Sequence, residues 1–525
     1  MKVLLVSTQS AYRTVLEIVK GLTQNYVVDV YPSKAIVAQF TTCEELAKEL
    51  RAWLGRCSYD YVVIPGLVRG SAKVIEDAIG CRVYKGSKYA GDIPQVLRLL
   101  SGGIELSKEI PADELYDNIF TASLQQLYYS QVSSKKPYFE IGGVGLYLDP
   151  PPIRLLLEVL VSSREFEEKI SRAIEAGFDG VVIGCESRCN TVLLSKYVDR
   201  ARELISEGII GIDVARPAEL PVDVFESVNL LFNVAYTDIG RVSKSIGRSG
   251  GVVVIPSTVE SLEESLRSIE SAISMLKEIG INNIVVDPLL RPPGTGFMES
   301  LVRFYSSRMR ISYPHLFSTA NIYEMIDADS HGVIALLMSM AMELGASVVL
   351  ATEESTKTYG AIEEHAIARH MTYVSHLKKS PPKDMPGGLD LLIVKSKNLG
   401  KQHPPTFEGT TKVVGTVEYQ RDPNYYVKIY VNHSRREIVI DVVRIESEEL
   451  VARFVGRSST SLARAILREF ELSIEHAAYL GYELGKAELA LKLWREYEQD
   501  SEVLITPREK LSLSRSSLLL SHKKA

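Results

Sequence analysis

Residues 208–217 read Gly208-Ile209-Ile210-Gly211-Ile212-Asp213-Val214-Ala215-Arg216-Pro217. A near-continuous apolar run ends in a carboxylate and then in a turn closed by proline. That is the pattern of a strand buried on both faces that delivers a polar side chain at its C-terminal end. Upstream, Gly177-Phe178-Asp179-Gly180-Val181-Val182-Ile183 opens into the polar loop Gly184-Cys185-Glu186-Ser187. Downstream, Leu231-Phe232-Asn233-Val234 and Val285-Val286-Asp287-Pro288 repeat the design, the latter followed by Gly294-Thr295-Gly296-Phe297.

Working outward, eight strand candidates appear: Leu155–Val161, Gly180–Ile183, Ile209–Val214, Asn229–Asn233, Gly251–Ile255, Asn283–Asp287, His315–Ser318 and Ala346–Ala351. Amphipathic helical stretches such as Glu165–Ala176, Val192–Glu207 and Ser261–Ile279 lie between them. An open doubly wound sheet shows the same alternation, but eight such units within residues 150–396 match a closed (β/α)8 TIM barrel. In such a barrel, function sits at the C-terminal strand ends.

The flanks read differently. Residues 1–115 alternate Lys2–Ser7, Tyr26–Tyr31, Ile36–Phe40 and Tyr59–Ile64 as strands with helices Tyr12–Leu22 and Glu44–Leu54, an N-terminal open α/β (Rossmann-like) domain. No Gly-x-Gly-x-x-Gly follows the first strand, so a dinucleotide fold gains no support. Residues 116–149 are a connector with a β-hairpin at Gly142-Gly143. Residues 400–505 form a C-terminal α+β domain, with strands Tyr425–Val431 and Glu437–Val443 and two helices. The second helix carries the apolar stripe Ile474, Ala477, Gly481, Leu484, Ala487, Leu491 and Trp494. Residues 506–525 are a basic, Ser-rich tail expected to be disordered.

Of the 525 residues 24% are charged and 46% hydrophobic, as in a soluble protein with filled cores. The formal net charge of -6 argues against nucleic acid as a partner. No apolar run reaches the ~18–20 residues of a membrane span, and the short apolar N-terminus reads as a first strand rather than a signal peptide. Five cysteines in so long a chain point to free thiols in a reducing, cytoplasmic setting. Cys185 and Cys189 form a lone C-x3-C without the second pair a structural zinc needs.

Asp213, Asn233 and Asp287 each end an apolar strand. Singly, each reads equally well as a helix cap or loop anchor; together they suit a pterin. The amino group and ring N–H on one edge of that ring offer two hydrogen bonds to a carboxylate, and an amide supplies a donor and an acceptor beside it. At these residues the chain resembles dihydropteroate synthases and the wider pterin-binding barrel family. The Gly177–Ser187 segment looks like that family's second strand and Gly-Glu-Ser loop. Asp213 with Pro217, Asn233, and Asp287-Pro288 followed by Gly-Phe look like its pterin-contacting strand ends. The resemblance implies pterin contacts from Asp213, Asn233, Asp287 and Glu186. The flanking modules look like those of archaeal dihydropteroate synthase-related proteins.

The departures lie elsewhere. The loop after the first strand, Leu160-Val161-Ser162-Ser163-Arg164, lacks the family's Asn. Val182 stands where an acidic residue is frequent. Ser318-Thr319-Ala320-Asn321 and Thr352-Glu353-Glu354-Ser355 replace Ser-Arg-Lys and Arg-x-His. The pterin half of the pocket is kept and the diphosphate half rebuilt.

The resemblance therefore implies a transferase that condenses a dihydropterin methyl diphosphate with an arylamine, in folate or modified-pterin biosynthesis. Arg291, Ser355, Thr356 and Lys357 would serve as phosphate ligands. The alternatives are a pterin-dependent methyltransferase, with Asn321 hydrogen-bonding the ring, and a non-catalytic pterin carrier. Glu324, Asp327, Asp329 and His331 are residue types that suit Mg2+, though a helix capped by Asp329 or Ser330 explains them as well. Glu158 on the first strand either faces the mouth or pairs with an arginine. His365 and His370 share no helical face, and His476 reads as a packed or capping residue. A homodimer is compatible with all of this.

Overall fold

The computed structural model describes residues 1–22, 26–116, 119, 134–185, 190–220, 224, 227–242, 250–385, 389–396, 414 and 420–505. They fall into two compact units, residues 1–397 and 398–525.

The first unit opens with a four-stranded parallel sheet of β1 (Lys2–Ser7), β2 (Val27–Pro32), β3 (Tyr61–Ile64) and β4 (Arg82–Lys85), in the order β2-β1-β3-β4. Helix Cys43–Leu54 starts in a capping box, Thr42 accepting from the Glu45 N–H while Glu45 accepts from the Thr42 N–H. The strand expected at 36–40 is instead a short 3-10 turn, Ala38–Phe40. Its Gln39 and Phe40 are exposed, so there is no second face for a strand to bury.

The free-thiol expectation is corrected. Cys57 and Cys81 form a disulfide, with Cα atoms 5.9 Å apart. They precede β3 and β4, and the register that pairs Tyr61 with Arg82 brings them together. Their sequence separation of 24 gave no local sign of it. Cys185 is also disulfide-bonded, while Cys43 is a buried free thiol.

A hairpin, β5 (Phe139–Ile141) and β6 (Val144–Leu146), leads into the barrel. The barrel strands are β7 (Arg154–Leu160), β8 (Gly180–Cys185), β9 (Ile209–Val214), β10 (Leu230–Val234), β11 (Gly251–Val254), β12 (Ile284–Val286), β13 (Leu316–Ser318) and β14 (Val348–Thr352). All pair in parallel, in the order β12-β11-β10-β9-β8-β7-β14-β13. A bridge from Val286 to His315, with the Val286 N–H donating to the Pro314 carbonyl at 2.9 Å, closes the ring. The eight strands expected from the alternation are all present.

Each strand has two buried faces. Leu157, Val159, Val181 and Ile183 pack outward on the helices. Leu156, Val182, Ile209, Leu230, Val253, Val285, Leu316 and Val348 fill the interior. Ile141 and Leu146 of the hairpin join that interior cluster and plug its N-terminal end. The hairpin can approach because residue 142 is glycine: its φ is +56° and a Cβ would collide with the Gly208 carbonyl.

The second unit is an antiparallel sheet, β15 (Tyr425–Asn432), β16 (Glu437–Arg444) and β17 (Leu450–Gly456), with helices Ser459–Glu469 and Ile474–Leu493. β17 was not expected; its exposed and half-buried residues give it little apolar run. The buried helix face runs through His476, Leu480, Glu483, Leu484, Ala487 and Ala490. The expected stripe is thereby rotated, with Ile474 and Gly481 exposed. Glu483 is tolerated inside because Lys486 pairs with it at 2.6 Å and the Tyr497 hydroxyl donates to it at 2.8 Å.

Gly142→Ala should lower the unfolding free energy by about 2 kcal/mol or more. Gly143→Ala, at φ +78° but with open space around its Cβ, should lose only about 1 kcal/mol. Urea unfolding of the two variants compares the collision with backbone strain alone. Equal losses would remove the packed-plug account.

Candidate functional site

Side chains alternate along a strand, so the residues that continue the interior rows toward the C-terminal end face the barrel mouth. On β7 the row through Leu156 reaches Glu158; on β9 the row through Ile209 reaches Asp213; after β12 the row through Val285 reaches Asp287. Asn233 should follow Leu231 to the outer face. Instead the β10–β11 register shifts between Leu231 and Val234, and Asn233 takes φ +60°. Asparagine tolerates that left-handed conformation, and the irregularity re-aims its side chain inward. Its Nδ2 donates to Asp213 Oδ1 at 2.6 Å and to the Val214 carbonyl at 3.2 Å.

Two features make room for these groups and fix them. A Cβ at residue 184 would lie 2.6 Å from Glu158 Oε1, so the glycine leaves the space this carboxylate fills. Beyond β12 the chain bends through Leu289 at φ +63°, whose N–H donates to Asp287 Oδ1 at 2.8 Å. Arg303, buried on helix Phe297–Arg310, donates from Nε to the Pro288 carbonyl at 2.6 Å and from Nη2 to the Leu289 carbonyl. Its charge lies near Asp287 without contacting it.

Among the described residues none of the three carboxylates has a salt-bridge partner. Burial pushes Asp287 up to about 7; the Leu289 N–H opposes the rise and the charge of Asp213 adds to it. Burial also raises Asp213, against its bond from Asn233. Glu158 is raised by burial, then by Asp213 and Glu354. The mouth is therefore a set of desolvated acceptors beside one amide, suited to a neutral or cationic donor edge.

The other candidates lie apart. Arg291 donates its N–H to Ser300 Oγ at 3.2 Å, and its guanidinium lies close to Gly296 at the start of helix Phe297–Arg310. Asn321 is exposed and donates from Nδ2 to the Leu290 carbonyl at 3.3 Å, so both flank the loop after β12. The Ser355 hydroxyl donates to Glu324 Oε2 at 2.6 Å, Thr356 is exposed, and Lys357 pairs with Asp327 at 3.0 Å. Glu186 lies outside the described residues. Asp213, Asn233 and Asp287 are thus brought together, while Ser355 and Lys357 are held by carboxylates on the β13–β14 side and Thr356 stays exposed. Among the described residues no group of three or more His, Cys, Asp or Glu side chains is placed to hold a metal ion. His365 is buried between Thr319 Oγ1 at 2.8 Å and the Ala361 carbonyl at 2.6 Å.

Residues 421–500, in the C-terminal unit, match the family model PterinBD-DUF4346. The uncharacterized protein MJ0107 of Methanocaldococcus jannaschii is 28% identical over 542 residues, covering 96% of this chain and 99% of its own length. Dihydropteroate synthase from Thermus thermophilus aligns with 44% of this chain and 96% of its own, at 18% identity and TM-score 0.36. The Xanthomonas albilineans synthase in complex with 7,8-dihydropteroate aligns with 46% of this chain and 99% of its own, at 16% identity and TM-score 0.35.

In this barrel two elements escaped sequence reasoning. Arg303 lies among Ser300, Phe304 and Ser307 on the buried helix face, and a charge on that stripe was the available signal. Glu158, for which the sequence left open the barrel mouth or an arginine partner, lies beside Asp213 at the mouth and has no salt-bridge partner among the described residues. The loop after β14 is acidic and braced: Glu353 binds Arg172 at 2.6 Å and Glu354 binds Lys169 at 3.0 Å, both on helix Phe166–Glu175.

A raised folded-state pKa at Asp287 means that this group's contribution to stability is complete below its unfolded value near 3.8. The contribution is lost as pH rises through about 7. Asp287→Asn should flatten the dependence of unfolding free energy on pH between 4 and 8. At pH 8 it should stabilise the ligand-free protein by on the order of 2–4 kcal/mol. Urea unfolding across that range checks it, and a variant less stable at pH 8 would contradict the assigned burial.

Proposed function

We propose that the barrel mouth binds a reduced pterin by its amino and ring N–H edge, and that the protein is a dihydropteroate synthase-like transferase acting on the carbon attached to that ring. The observation that carries the reading is the group of half-buried Asp213 and Asn233 with buried Asp287, carboxylates without cationic partners among the described residues beside an amide aimed inward. A pterin edge returns to these acceptors the hydrogen bonds that burial withdrew, and a ring lacking those donors leaves them unpaired. Glu158 deepens the same acceptor surface.

The reaction in this reading joins a dihydropterin methyl diphosphate to an arylamine. The amine nitrogen forms a bond to the methylene carbon, the carbon–oxygen bond breaks, diphosphate leaves, and the amine loses a proton. Holding the ring fixes the methylene carbon for attack. The leaving group needs cationic and N–H partners. Ser355 and Lys357 are engaged with Glu324 and Asp327, so the proposal assigns that task to Arg291 and the N-terminus of helix Phe297–Arg310. Methyl transfer gains no particular support, since the Asn321 amide is turned to the Leu290 carbonyl.

Titration calorimetry of the full chain with 7,8-dihydropterin and its 6-hydroxymethyl derivative tests the binding half. Asp213→Asn and Asp287→Asn should each weaken binding by roughly 100-fold, about 3 kcal/mol; undiminished affinity in both variants rejects the site. The reaction half is read by diphosphate release from dihydropterin methyl diphosphate with 4-aminobenzoate. Arg291→Ala should lower kcat/KM by roughly 100-fold while pterin affinity changes less than about threefold. Tight pterin binding with no release from any arylamine would reject condensation and leave a carrier role.

A further inference from the structure

The N-terminal sheet reverses its winding between β1 and β3: the chain steps from β1 to β2 on one side and from β3 to β4 on the other. In open parallel sheets the crevice beyond the strand ends at such a switch point is where ligands bind. Here that crevice is a cavity of about 570 Å³, within the range of small-molecule sites. Its floor is the C-terminal ends of β1 and β3. Its far wall is the segment 379–383, which follows the last barrel helix, Ala361–Lys378. That wall is fixed to the N-terminal domain by Lys378 and Asp92, both buried and paired at 3.4 Å.

The lining has a consistent chemistry. Among the described residues no aspartate or glutamate lines the cavity, whereas Lys88, Lys379 and Lys383 do. The lysines pair with carboxylates outside the lining: Lys379 with Glu17 at 3.1 Å, Lys88 with Glu114 at 2.9 Å, and Lys383 with Asp384 at 3.8 Å. Hydroxyls of Thr8, Ser10 and Thr14 surround the start of helix Tyr12–Lys20, and Ile93 at the start of helix Ile93–Ser101 stands across from them. Helix Tyr12–Lys20 therefore begins at this cavity without a side-chain cap on its first turn, whereas helix Ile93–Ser101 contributes no free donor there, its Ile93 N–H donating to the Ala90 carbonyl and Pro94 having none. The remaining wall is apolar, with Val37, Leu67 and Val96.

We propose that this cavity is a second ligand site, for a phosphate monoester of nucleotide size. Lysine point charges, hydroxyls and the N-terminus of helix Tyr12–Lys20 suit a phosphate of more than one negative charge, and among the described residues no arginine in the lining offers the fork that a planar carboxylate favours. The apolar wall takes the organic body. The site is independent of the barrel mouth and of opposite polarity. Because its wall includes residues 379–383, the occupant touches both the N-terminal sheet and the chain leaving the barrel.

Titration calorimetry on the full chain, with AMP, FMN and ribose 5-phosphate as probes and adenosine as the uncharged control, tests this. At least one phosphate monoester should bind with submillimolar Kd, and for AMP the affinity should exceed that of adenosine by at least tenfold. The double variant Lys379→Gln with Lys383→Gln should weaken that binding at least tenfold. Thr14→Val should weaken it at least threefold, and thermal melting without ligand checks that both variants fold. Asp287→Asn should leave it unchanged, which separates this site from the barrel. Binding of none of the three esters, adenosine binding as tightly as AMP, or undiminished affinity in the double variant would each overturn the proposal.

Discussion

A carboxylate taken out of water without a cation beside it is among the most expensive groups a fold can carry, and this barrel carries three. Glu158, Asp213 and Asp287 stand at the end of an apolar interior, and their neighbours are arranged around that fact. Gly184 gives up its side chain so that Glu158 has somewhere to go. Asn233 adopts a left-handed backbone so that its amide reaches Asp213. The loop after β12 bends to give Asp287 one N–H, and Arg303 holds that bend from behind through carbonyls. The guanidinium is near enough to steady the loop and is spent on carbonyl oxygens, so Asp287 keeps its acceptors for a ligand. Burial of this kind destabilises the empty protein, and a bound donor edge relieves it.

The strand–helix alternation was legible because parallel strands buried on two faces must be apolar throughout, which is rare outside such architectures. The polar strand ends were legible for the same reason, since Asp213 and Asp287 interrupt those runs. What was not legible depends on pairing across the sheet. Nothing near Asn233 announces that the β10–β11 register slips and turns it inward. Nor does the sequence around Ser355 say that Glu324 will claim its hydroxyl, because the two meet only when β13 and β14 lie side by side. Cys57 and Cys81 are a third case, joined by the β3–β4 register across intervening helix and loop. Local pattern reads what one strand does; it cannot read which neighbour arrives.

The barrel mouth and the N-terminal cavity of the first unit have opposite polarity. The barrel mouth gathers carboxylates and an amide, and the cavity of the N-terminal sheet gathers lysines, hydroxyls and the start of helix Tyr12–Lys20. Both follow from the geometry of parallel sheets, which collect loops and helix starts at the C-terminal strand ends. Helix Ala361–Lys378 belongs to the barrel and ends at the N-terminal cavity, anchored there by the Lys378–Asp92 pair.

The hairpin of β5 and β6 brings the floor of the barrel from outside the eight repeats. Ile141 and Leu146 belong to the same cluster as Leu156, Val182 and Ile209, yet they precede the first barrel strand in the chain. A fragment begun at residue 150 would hold every strand and helix of the barrel and still present an open apolar well to water. The unit of folding is therefore longer than the architecture suggests. Any recombination of this barrel with other domains must carry residues 139–146 along, or find another pair of aliphatic side chains to stopper it.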